Sequence, residues 1–445
     1  MLSVYDEYRS KLRTAEEAVR LVKSGDWLDY ASNNGFPKML DAALAKRRDE
    51  LKNVKIRGNL IPGPIQTAEC DPSFEHFVYN TWFASAYERH LIDAGHAFFI
   101  PMDFRNMGAY YKNYLTVNVA MLTVTPMNEK GYFNRSCCQG LPKDAIDKAD
   151  LVILEVNDSL PWIFGGEESL IHISEVDAVV ETGGYPVWEM QPPQPSKAEM
   201  SIAHSIMPFI RDGSTVQLGI GGLPNAMGRL IADSDLRDLG MHTELASDGY
   251  YAMYKAGKLT NCRKTLHPGK NVSAIFMGSG EFYDWIDGNE DFLGLPLSYV
   301  NDPHVLAQNE SMISINGCLN VDLYGQVNAE SAGLRQISGT GGQLDFVSGA
   351  VHSRGGKSFL CLPSTHTDRS GRIESRIVPH FGMDIITTPR SMCHYIVTEY
   401  GAVNLAGLST WERAEALISV AHPDFREWLI SCAQEQHIWL PSNRR

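Results

Sequence analysis

The chain has 445 residues, a length typical of a protein with more than one hydrophobic core. Of these residues 44% are hydrophobic and 21% are charged, a composition typical of a globular protein. Its formal net charge of −14 argues against a nucleic-acid-binding surface, which would need clustered lysine and arginine. An anionic ligand is not excluded, because a local site can be positive on an acidic protein.

The N-terminal segment and the cysteines set further expectations. Residues 1–23 are charged throughout and contain no apolar core, so no signal peptide is predicted. The most apolar stretch, residues 114–127, is shorter than the roughly 20 apolar residues of a membrane span. The eight cysteines form no Cys-x-x-Cys pair and no Cys/His spacing typical of zinc. We therefore expect a cytoplasmic protein that contacts no membrane and holds no metal.

The first half opens with a capping box. Thr14 and Glu17 have the required spacing, and the apolar helical pattern behind them ends at Gly25. A strand is predicted over residues 27–31. Residues 35–37 (Gly-Phe-Pro) then open a helix with proline in its first turn.

A proline-rich segment, residues 191–195 (QPPQP), lies near the middle of the chain. Such a stretch is stiff and is typical of a linker. It predicts two domains, residues 1–190 and residues 196–445.

The second half repeats the order of the first. Ser196 and Glu199 form another capping box, a strand is predicted over residues 215–220, and residues 222–224 (Gly-Leu-Pro) open a helix. Two further pairs of similar segments follow in the same order: residues 131–134 with 325–328, and the predicted strands 176–183 with 395–401. Three such pairs in the same order indicate an internal duplication.

Predicted strands alternate with helical patterns in both halves, as at residues 151–156, 274–277 and 359–362. This alternation predicts an α/β fold with largely parallel sheets. Ligands in such folds bind beyond the carboxyl ends of the strands. The candidate site residues are accordingly sought where predicted strands end.

Residues 219–224 (GIGGLP) join a predicted strand to a helix. Glycines allow the backbone to approach a ligand closely, and a helix N-terminus offers N–H groups to an anion. Many α/β proteins carry glycine at this place for chain geometry alone, so the pattern leaves both interpretations open.

Residues 242–249 (HTELASDG) place Glu244 between a His-Thr pair and a Ser-Asp-Gly segment that reads as a turn. This pattern predicts a carboxylate held at the end of a strand and directed into a cleft, where it can act as a nucleophile. A lone glutamate at such a junction is more often a solvated or ion-paired side chain. His242 is interpreted as a positioning or core residue.

Two further segments offer hydrogen-bonding groups. Asn316 follows an apolar alternation and so lies at a strand end, where its amide can satisfy a backbone group or hold a substrate carbonyl. Residues 338–346 (SGTGGQLDF) have three glycines in four positions, which leaves backbone N–H groups as the chemical content of the loop. Such donors can form an oxyanion hole; a tight turn before a helix is the alternative.

Residues 242–249 and 338–350 resemble the motifs of family I coenzyme A transferases, in the branch with acetyl-CoA hydrolase/transferase, 4-hydroxybutyrate CoA-transferase and butyryl-CoA:acetate CoA-transferase. Shorter matching pieces extend the resemblance over nearly the whole chain, most densely beyond residue 216. Ala246 departs from the pattern, because many relatives have an aromatic residue there, and residues 404–405 interrupt another matching segment.

The resemblance implies two similar α/β domains with the active site between them, and a homodimer or homotetramer. It implies that Glu244 carries CoA as a glutamyl thioester and that Gly341 and Gly342 border this thioester. It implies CoA-binding roles for further residues, with Leu319 packed against the pantetheine arm: Gly219, Ile220, Gly221, Gly222, Leu223, Asn316, Leu319 and Gly342. Acyl-CoA and small carboxylates are then the substrates, and no tightly bound cofactor is expected.

Other functions remain open at this stage. An acyl-CoA hydrolase would use the same intermediate, with water as the acceptor. A non-catalytic CoA-binding protein would bind without exchange. A nicotinamide-dependent oxidoreductase is disfavoured, because residues 219–222 depart from G-x-G-x-x-G and no acidic residue ends the next predicted strand about 20 residues on. The acyl pair, whether acetate with butyrate, 4-hydroxybutyrate or a small dicarboxylate, is also left open.

Overall fold

The computed structural model describes residues 3–137, 142–191, 193–368 and 370–444. Pro192, within the proline-rich segment, lies outside the described residues. The strands, in chain order, are β1 (Trp27–Tyr30), β2 (Val54–Gly58), β3 (Phe77–Thr81), β4 (Phe98–Phe99), β5 (Val119–Val124), β6 (Tyr132–Asn134), β7 (Leu151–Val156), β8 (Leu170–His172), β9 (Ala178–Glu181), β10 (Thr215–Leu218), β11 (Gly240–Ala246), β12 (Asn271–Phe276), β13 (Phe292–Gly294), β14 (Met312–Gly317), β15 (Asn320–Asp322), β16 (Val327–Asn328), β17 (Ser331–Ala332), β18 (Arg335–Gln336), β19 (Lys357–Cys361), β20 (Thr365–Thr367), β21 (Ile373–Ser375), β22 (Ile377–Val378), β23 (Tyr395–Thr398) and β24 (Gly401–Asn404).

Helices alternate with these strands along most of the chain. They are α1 (Val4–Lys11), α2 (Ala15–Ala18), α3 (Lys38–Ala45), α4 (Gln66–Glu69), α5 (Ala86–Asp93), α6 (Met107–Asn113), α7 (Lys143–Lys148), α8 (Lys197–Ile206), α9 (Gly222–Asp233), α10 (Asp248–Lys255), α11 (Gly280–Ile286), α12 (Leu297–Val300), α13 (Pro303–Gln308), α14 (Gln343–His352), α15 (Thr410–Ser419) and α16 (Pro423–Glu435). In the described ranges, no helix has the length and apolar character needed to cross a bilayer.

The contacts divide the chain into two compact units. Unit 1 contains residues 1–190 and 272–300, and unit 2 contains residues 191–271 and 301–445. The chain therefore returns to unit 1 for one segment after unit 2 has begun. The boundary that the proline-rich segment predicts for the folding domains stays a prediction.

A parallel sheet forms the centre of unit 1. Its strands lie in the order β4-β3-β2-β1-β5-β7-β9, with every recorded pairing parallel. All six residues of β5 are buried, as expected of a strand covered on both faces. The apolar core of the unit joins these strands to α2, α3 and α4, through residues such as Leu28, Leu40 and Ile56.

Unit 2 repeats this arrangement. Strand β10 has β11 on one side and β14, β19 and β23 in succession on the other, just as β1 has β2 on one side and β5, β7 and β9 on the other. The pairings within both series are parallel, and only the final strand β24 runs antiparallel to its neighbour. The predicted α/β fold with two similar domains is confirmed.

The local signals of the duplication also hold. Both capping boxes form, at Thr14 before α2 and at Ser196 before α8. The similar segments 131–134 and 325–328 begin at turns with the same backbone conformation, in which Gly131 has φ +87° and Gly325 has φ +86°. Only glycine adopts such angles readily, which explains why this residue recurs. The helix predicted between Thr14 and Gly25 is shorter than its pattern indicates, because α2 gives way to a 3₁₀ turn over Val19–Leu21.

Candidate active site

Strand β11 carries Glu244. Every other residue of the strand is buried, and Glu244 alone is partly exposed. The residue lies two positions before the strand ends, close to the strand-end position predicted. The Ser-Asp-Gly segment behind it is not a turn: Ser247 is the N-cap of α10, and Asp248 and Gly249 form its first turn. A serine before an apolar helical pattern is a common helix start, and this signal outweighs the turn tendency of Asp-Gly.

The Glu244 carboxylate has a fixed partner in Asn301. The Asn301 Nδ2 donates to Glu244 Oε2 over 2.5 Å. Asn301 is completely buried, and among the described residues its Oδ1 has no hydrogen-bond partner. A buried amide that donates to a carboxylate restricts the rotation of that carboxylate and so directs it.

Sequence reasoning did not assign this role to Asn301, although a signal for it exists. Asn301 immediately precedes Asp302, whose side chain caps α13, and Pro303 occupies the first turn of that helix. A helix start of this kind is rigid, so the residue before it has a defined position. The partner of that position lies 57 residues away in sequence, and no local pattern indicates it.

Gly342 lies against the same carboxylate. A Cβ atom built on Gly342 would stand 2.2 Å from Glu244 Oε2 and 2.2 Å from Asn301 Nδ2, so a larger residue would force the carboxylate, the amide or the backbone to shift. Gly342 is the N-cap of the ten-residue helix α14. The N-terminal end of a helix carries a partial positive charge, which stabilises a nearby anion by about 0.3–1 kcal/mol. The structure thus brings Glu244 and Gly342 together, with the buried Gly341 next in the chain.

The glycine loop after β10 lies at the same sheet edge. Thr215 pairs with Gly240 and Val216 with Met241, and the Thr243 hydroxyl donates to the Leu218 carbonyl over 3.4 Å. The chain that continues into Gly219 is therefore adjacent to the end of β11. The strand ends at Leu218, two residues earlier than its pattern predicts.

Gly222 has a packing reason for being glycine. A Cβ atom there would meet Glu199 Oε1 at 2.6 Å and Oε2 at 2.7 Å. The same carboxylate accepts from the Ser196 backbone N–H in the capping box of α8. A carboxylate already stands beside the first turn of α9, so a phosphate at that spot would meet a like charge. Ile220, in contrast, is exposed on the loop.

Asn316 belongs to a polar cluster with Ser314 of its own strand β14 and Gln217 of the neighbouring strand β10. Its Nδ2 donates to Gln217 Oε1 over 3.1 Å and to Ser314 Oγ over 2.9 Å, while its Oδ1 accepts from Gln217 Nε2 over 3.0 Å. Both amide hydrogens are therefore used within the cluster, and the oxygen, which already accepts from Gln217, keeps one acceptor position for a further donor. Gln217 and Ser314 are polar residues inside buried apolar strands, a signal that could have identified them from the sequence.

Leu319 is held elsewhere by its backbone. Its N–H donates to the Asn328 carbonyl over 2.8 Å, and its carbonyl accepts from Arg376 Nη1 over 2.9 Å. These contacts connect the Leu319 backbone with β16 and with Arg376, the residue between β21 and β22. His242 is completely buried and lies 3.3 Å from the Asn309 amide through its Nδ1, in agreement with a core or positioning role.

A buried lysine lies at the opposite end of β11. Lys264 Nζ donates to the carbonyls of Met241 and Lys270, each over 2.7 Å, and burial lowers the pKa of Lys264 to about 7. Carbonyl oxygens satisfy the hydrogens of this ammonium group but supply no full negative charge.

Lys264 is expected to make stability rise with pH. An unfolded lysine titrates near pH 10.4. Below about pH 7 the side chain is charged in both states, and the full cost of burying the charge is present. Between about pH 7 and pH 10 the unfolded chain binds more protons, so the free energy of unfolding increases with pH. Denaturant unfolding across this range measures the slope. Lys264→Met should flatten it, and an unchanged slope in this variant would contradict the assignment.

The described residues contain no group of three or more His, Cys, Asp or Glu side chains placed to hold a metal ion. A partly exposed carboxylate stands at a helix N-terminus, with one buried amide donor and a glycine backbone against it.

Comparison with known proteins identifies the family of the chain. Residues 2–188 match the family model of the acetyl-CoA hydrolase/transferase N-terminal domain, and residues 278–433 match that of the C-terminal domain. The chain is 45% identical to a butyryl-CoA:acetate CoA-transferase of Anaerostipes caccae, over the full length of both chains. It is also 45% identical to a probable butyrate:acetyl-CoA coenzyme A-transferase of Syntrophomonas wolfei, covering 99% of this chain and 98% of the other.

A solved structure shares the fold of this chain. The crystal structure of RipA from Yersinia pestis superimposes with a TM-score of 0.89 at 36% identity, covering 98% of this chain and 100% of the other. The fold and the relatives define the class, that of enzymes that transfer CoA. The chain belongs to the acetyl-CoA hydrolase/transferase family.

Proposed function

We propose that this enzyme moves CoA between a short-chain acyl-CoA and a small carboxylic acid, with Glu244 as the residue that carries CoA between the two half-reactions. Butyryl-CoA and acetate are the pair suggested by the names of two relatives that are each 45% identical to this chain. The observation that carries the proposal is the Glu244 carboxylate, partly exposed on β11 and in contact with Asn301 and Gly342.

The proposed reaction is a ping-pong exchange. A Glu244 oxygen attacks the thioester carbonyl of the acyl-CoA, the C–S bond breaks, and a mixed anhydride and CoA thiolate result. The thiolate then attacks the Glu244 carbonyl and expels the first acid as its carboxylate, which leaves a glutamyl thioester. The acceptor carboxylate reverses these steps. Each attacking group is already deprotonated, so no general base is required, and covalent catalysis divides one difficult exchange into easier steps.

A carboxylate is a weak nucleophile, so the site must stabilise the oxyanions that form. One well-placed donor contributes roughly 3 kcal/mol. We assign this role to the backbone N–H groups of Gly341 and Gly342 at the start of α14, where the helix N-terminus also favours negative charge. Asn301 holds Glu244 in the attacking orientation.

The CoA-binding residues are proposed from the family resemblance: Gly219, Ile220, Gly221, Gly222, Leu223, Asn316, Leu319 and Gly342. Glu199 beside Gly222 favours contact with the uncharged pantetheine arm over contact with a phosphate at that point. The second acceptor position of the Asn316 oxygen suits an amide N–H of the same arm, because its first accepts from Gln217 and both amide hydrogens are engaged. We further propose that the protein is a cytoplasmic homodimer or homotetramer. CoA is its substrate, and it has no tightly bound cofactor.

Isotope exchange tests this function. Butyryl-CoA is incubated with and without labelled acetate, and acetyl-CoA, butyrate and free CoA are followed. We expect labelled acetyl-CoA to form in proportion to released butyrate, with parallel lines in double-reciprocal plots. A hydrolase would instead release free CoA at the same rate without acetate. Binding of CoA with neither exchange nor hydrolysis would contradict enzymatic transfer altogether.

The Asn301→Ala variant is expected to lower kcat by about 10- to 100-fold, since a hydrogen bond to a charged group is worth roughly 1.5–3 kcal/mol. Asn309→Ala is the matched control, because Asn309 is also completely buried and lies at the other end of α13. It should lower the melting temperature with little change in kcat. Equal kcat losses in the two variants would mean that Asn301 acts only through stability.

A further inference from the structure

A second buried carboxylate of unit 2 lies beside the glycine-rich loop. Glu330, between β16 and β17, is only 4% exposed. Its Oε2 accepts from the Thr340 hydroxyl over 3.3 Å, and its Oε1 accepts from the Thr387 hydroxyl over 2.9 Å. Hydroxyl groups on two separate segments therefore hold this side chain, and one of those segments is the loop that ends at Gly342.

The loop is anchored at both ends. At its start, the N–H groups of Ile337 and Ser338 donate to the Glu330 carbonyl over 2.8 and 3.2 Å. At its end, Gln343 Nε2 donates to the Thr388 hydroxyl over 3.1 Å. Residues 339–342 between these anchors are Gly-Thr-Gly-Gly, so Thr340 supplies the one side chain beyond hydrogen by which that stretch can be held.

We propose that Glu330 is a positioning residue: through Thr340 it fixes the Gly341–Gly342 backbone against the Glu244 carboxylate. The inference rests on the proposed function, in which these glycines stabilise the oxyanion. Glycine-rich chain has high conformational freedom, and a hydrogen bond one residue away removes much of it. A displacement of about 1 Å at a reacting centre costs about 100-fold in rate, so the bond acts on kcat.

The hydroxyl groups of Thr340 and Thr387, which both bind Glu330, can be compared with each other. Thr387 Oγ1 also accepts from the Ala329 N–H over 3.0 Å, and the Thr387 N–H donates to the Val327 carbonyl over 2.9 Å. Thr387 therefore ties Glu330 to the framework around β16. Loss of either hydroxyl removes one hydrogen bond from the same buried carboxylate, yet only Thr340 is part of the loop.

The test compares Thr340→Val, Thr340→Ser and Thr387→Val in the butyryl-CoA and acetate exchange assay, with melting temperatures for each. Thr340→Val is expected to lower kcat by about 10- to 100-fold while KM for butyryl-CoA stays within about threefold. Thr340→Ser should restore most of the loss, because it returns the hydroxyl. The kcat loss in Thr387→Val should be smaller than that in Thr340→Val by about tenfold.

Similar kcat losses in both valine variants, or no rescue by serine, would overturn the positioning role and leave Glu330 as a framework residue. The native enzyme is measured in every assay. Absence of exchange in the native enzyme would refute the proposed function instead, so the two failures are distinguishable.

Discussion

The Glu244→Gln variant is expected to lose CoA exchange by about 10⁴-fold or more, the scale of loss seen when a covalent nucleophile is removed. The amide has nearly the same shape as the carboxylate, so the strand and the contact with Gly342 should survive. The nucleophilic oxygen does not, and neither half-reaction can begin. Formation of labelled acetyl-CoA from butyryl-CoA and labelled acetate measures the loss, and the melting temperature verifies folding.

Glu244→Asp refines this result, because it withdraws the carboxylate by about one C–C bond length and should cost about 100-fold. Glu310→Gln is the control for the loss of a negative charge, since Glu310 is ion-paired with Arg354 at the surface. The control should retain native kcat. Exchange by Glu244→Gln at more than a few hundredths of the native rate would be incompatible with a nucleophilic role.

The second large effect is expected from Gly342→Ala. The added methyl group would stand 2.2 Å from both Glu244 Oε2 and Asn301 Nδ2, far inside van der Waals contact. The carboxylate, the amide or the start of α14 must then move, and the donor geometry moves with them. We expect kcat to fall by about 10²- to 10³-fold, the range for loss of an oxyanion donor.

Steady-state kinetics with a thermal melt distinguishes this effect from misfolding. Gly382→Ala is the matched control, because no atom lies within 4 Å of a Cβ added there and its kcat should be unchanged. A Gly342→Ala enzyme with native kcat would show that the loop does not constrain the nucleophile.

The duplicated α/β fold could be predicted because its signals are local. Capping boxes at Thr14 and Ser196 begin helices whatever lies around them, and the paired glycines 131 and 325 mark turns that require positive φ. Strands covered on both faces read as apolar runs, as in β5. Element ends were less predictable, since packing decides whether Gly219 continues β10 or leaves it.

The pairing of site residues could not be predicted from local signals. Glu244 and Gly342 were singled out by their motifs, but the buried amide that holds Glu244 comes from Asn301, at the start of another helix. The return of residues 272–300 to unit 1 is likewise a tertiary fact without a sequence pattern.

Glycine patterns illustrate a second limit. A Cβ atom added at Gly222 or at Gly342 would clash with a close carboxylate, that of Glu199 in the first case and that of Glu244 in the second. A glycine in a sequence can indicate that a neighbouring group packs closely against the backbone, but it does not indicate which group this is. Only the structure shows that Gly222 packs against Glu199 and that Gly342 packs against Glu244.

The central claim is that Glu244 carries CoA as a thioester. The enzyme is incubated with butyryl-CoA, treated with hydroxylamine or borohydride, digested with trypsin and analysed by mass spectrometry. Residues 238–255 form one tryptic peptide, in which Asp238 and Asp248 are internal comparisons for Glu244. We predict that the hydroxamate or the reduced alcohol appears at Glu244 alone and only after exposure to acyl-CoA. Modification at another residue, or none at all, would contradict the account.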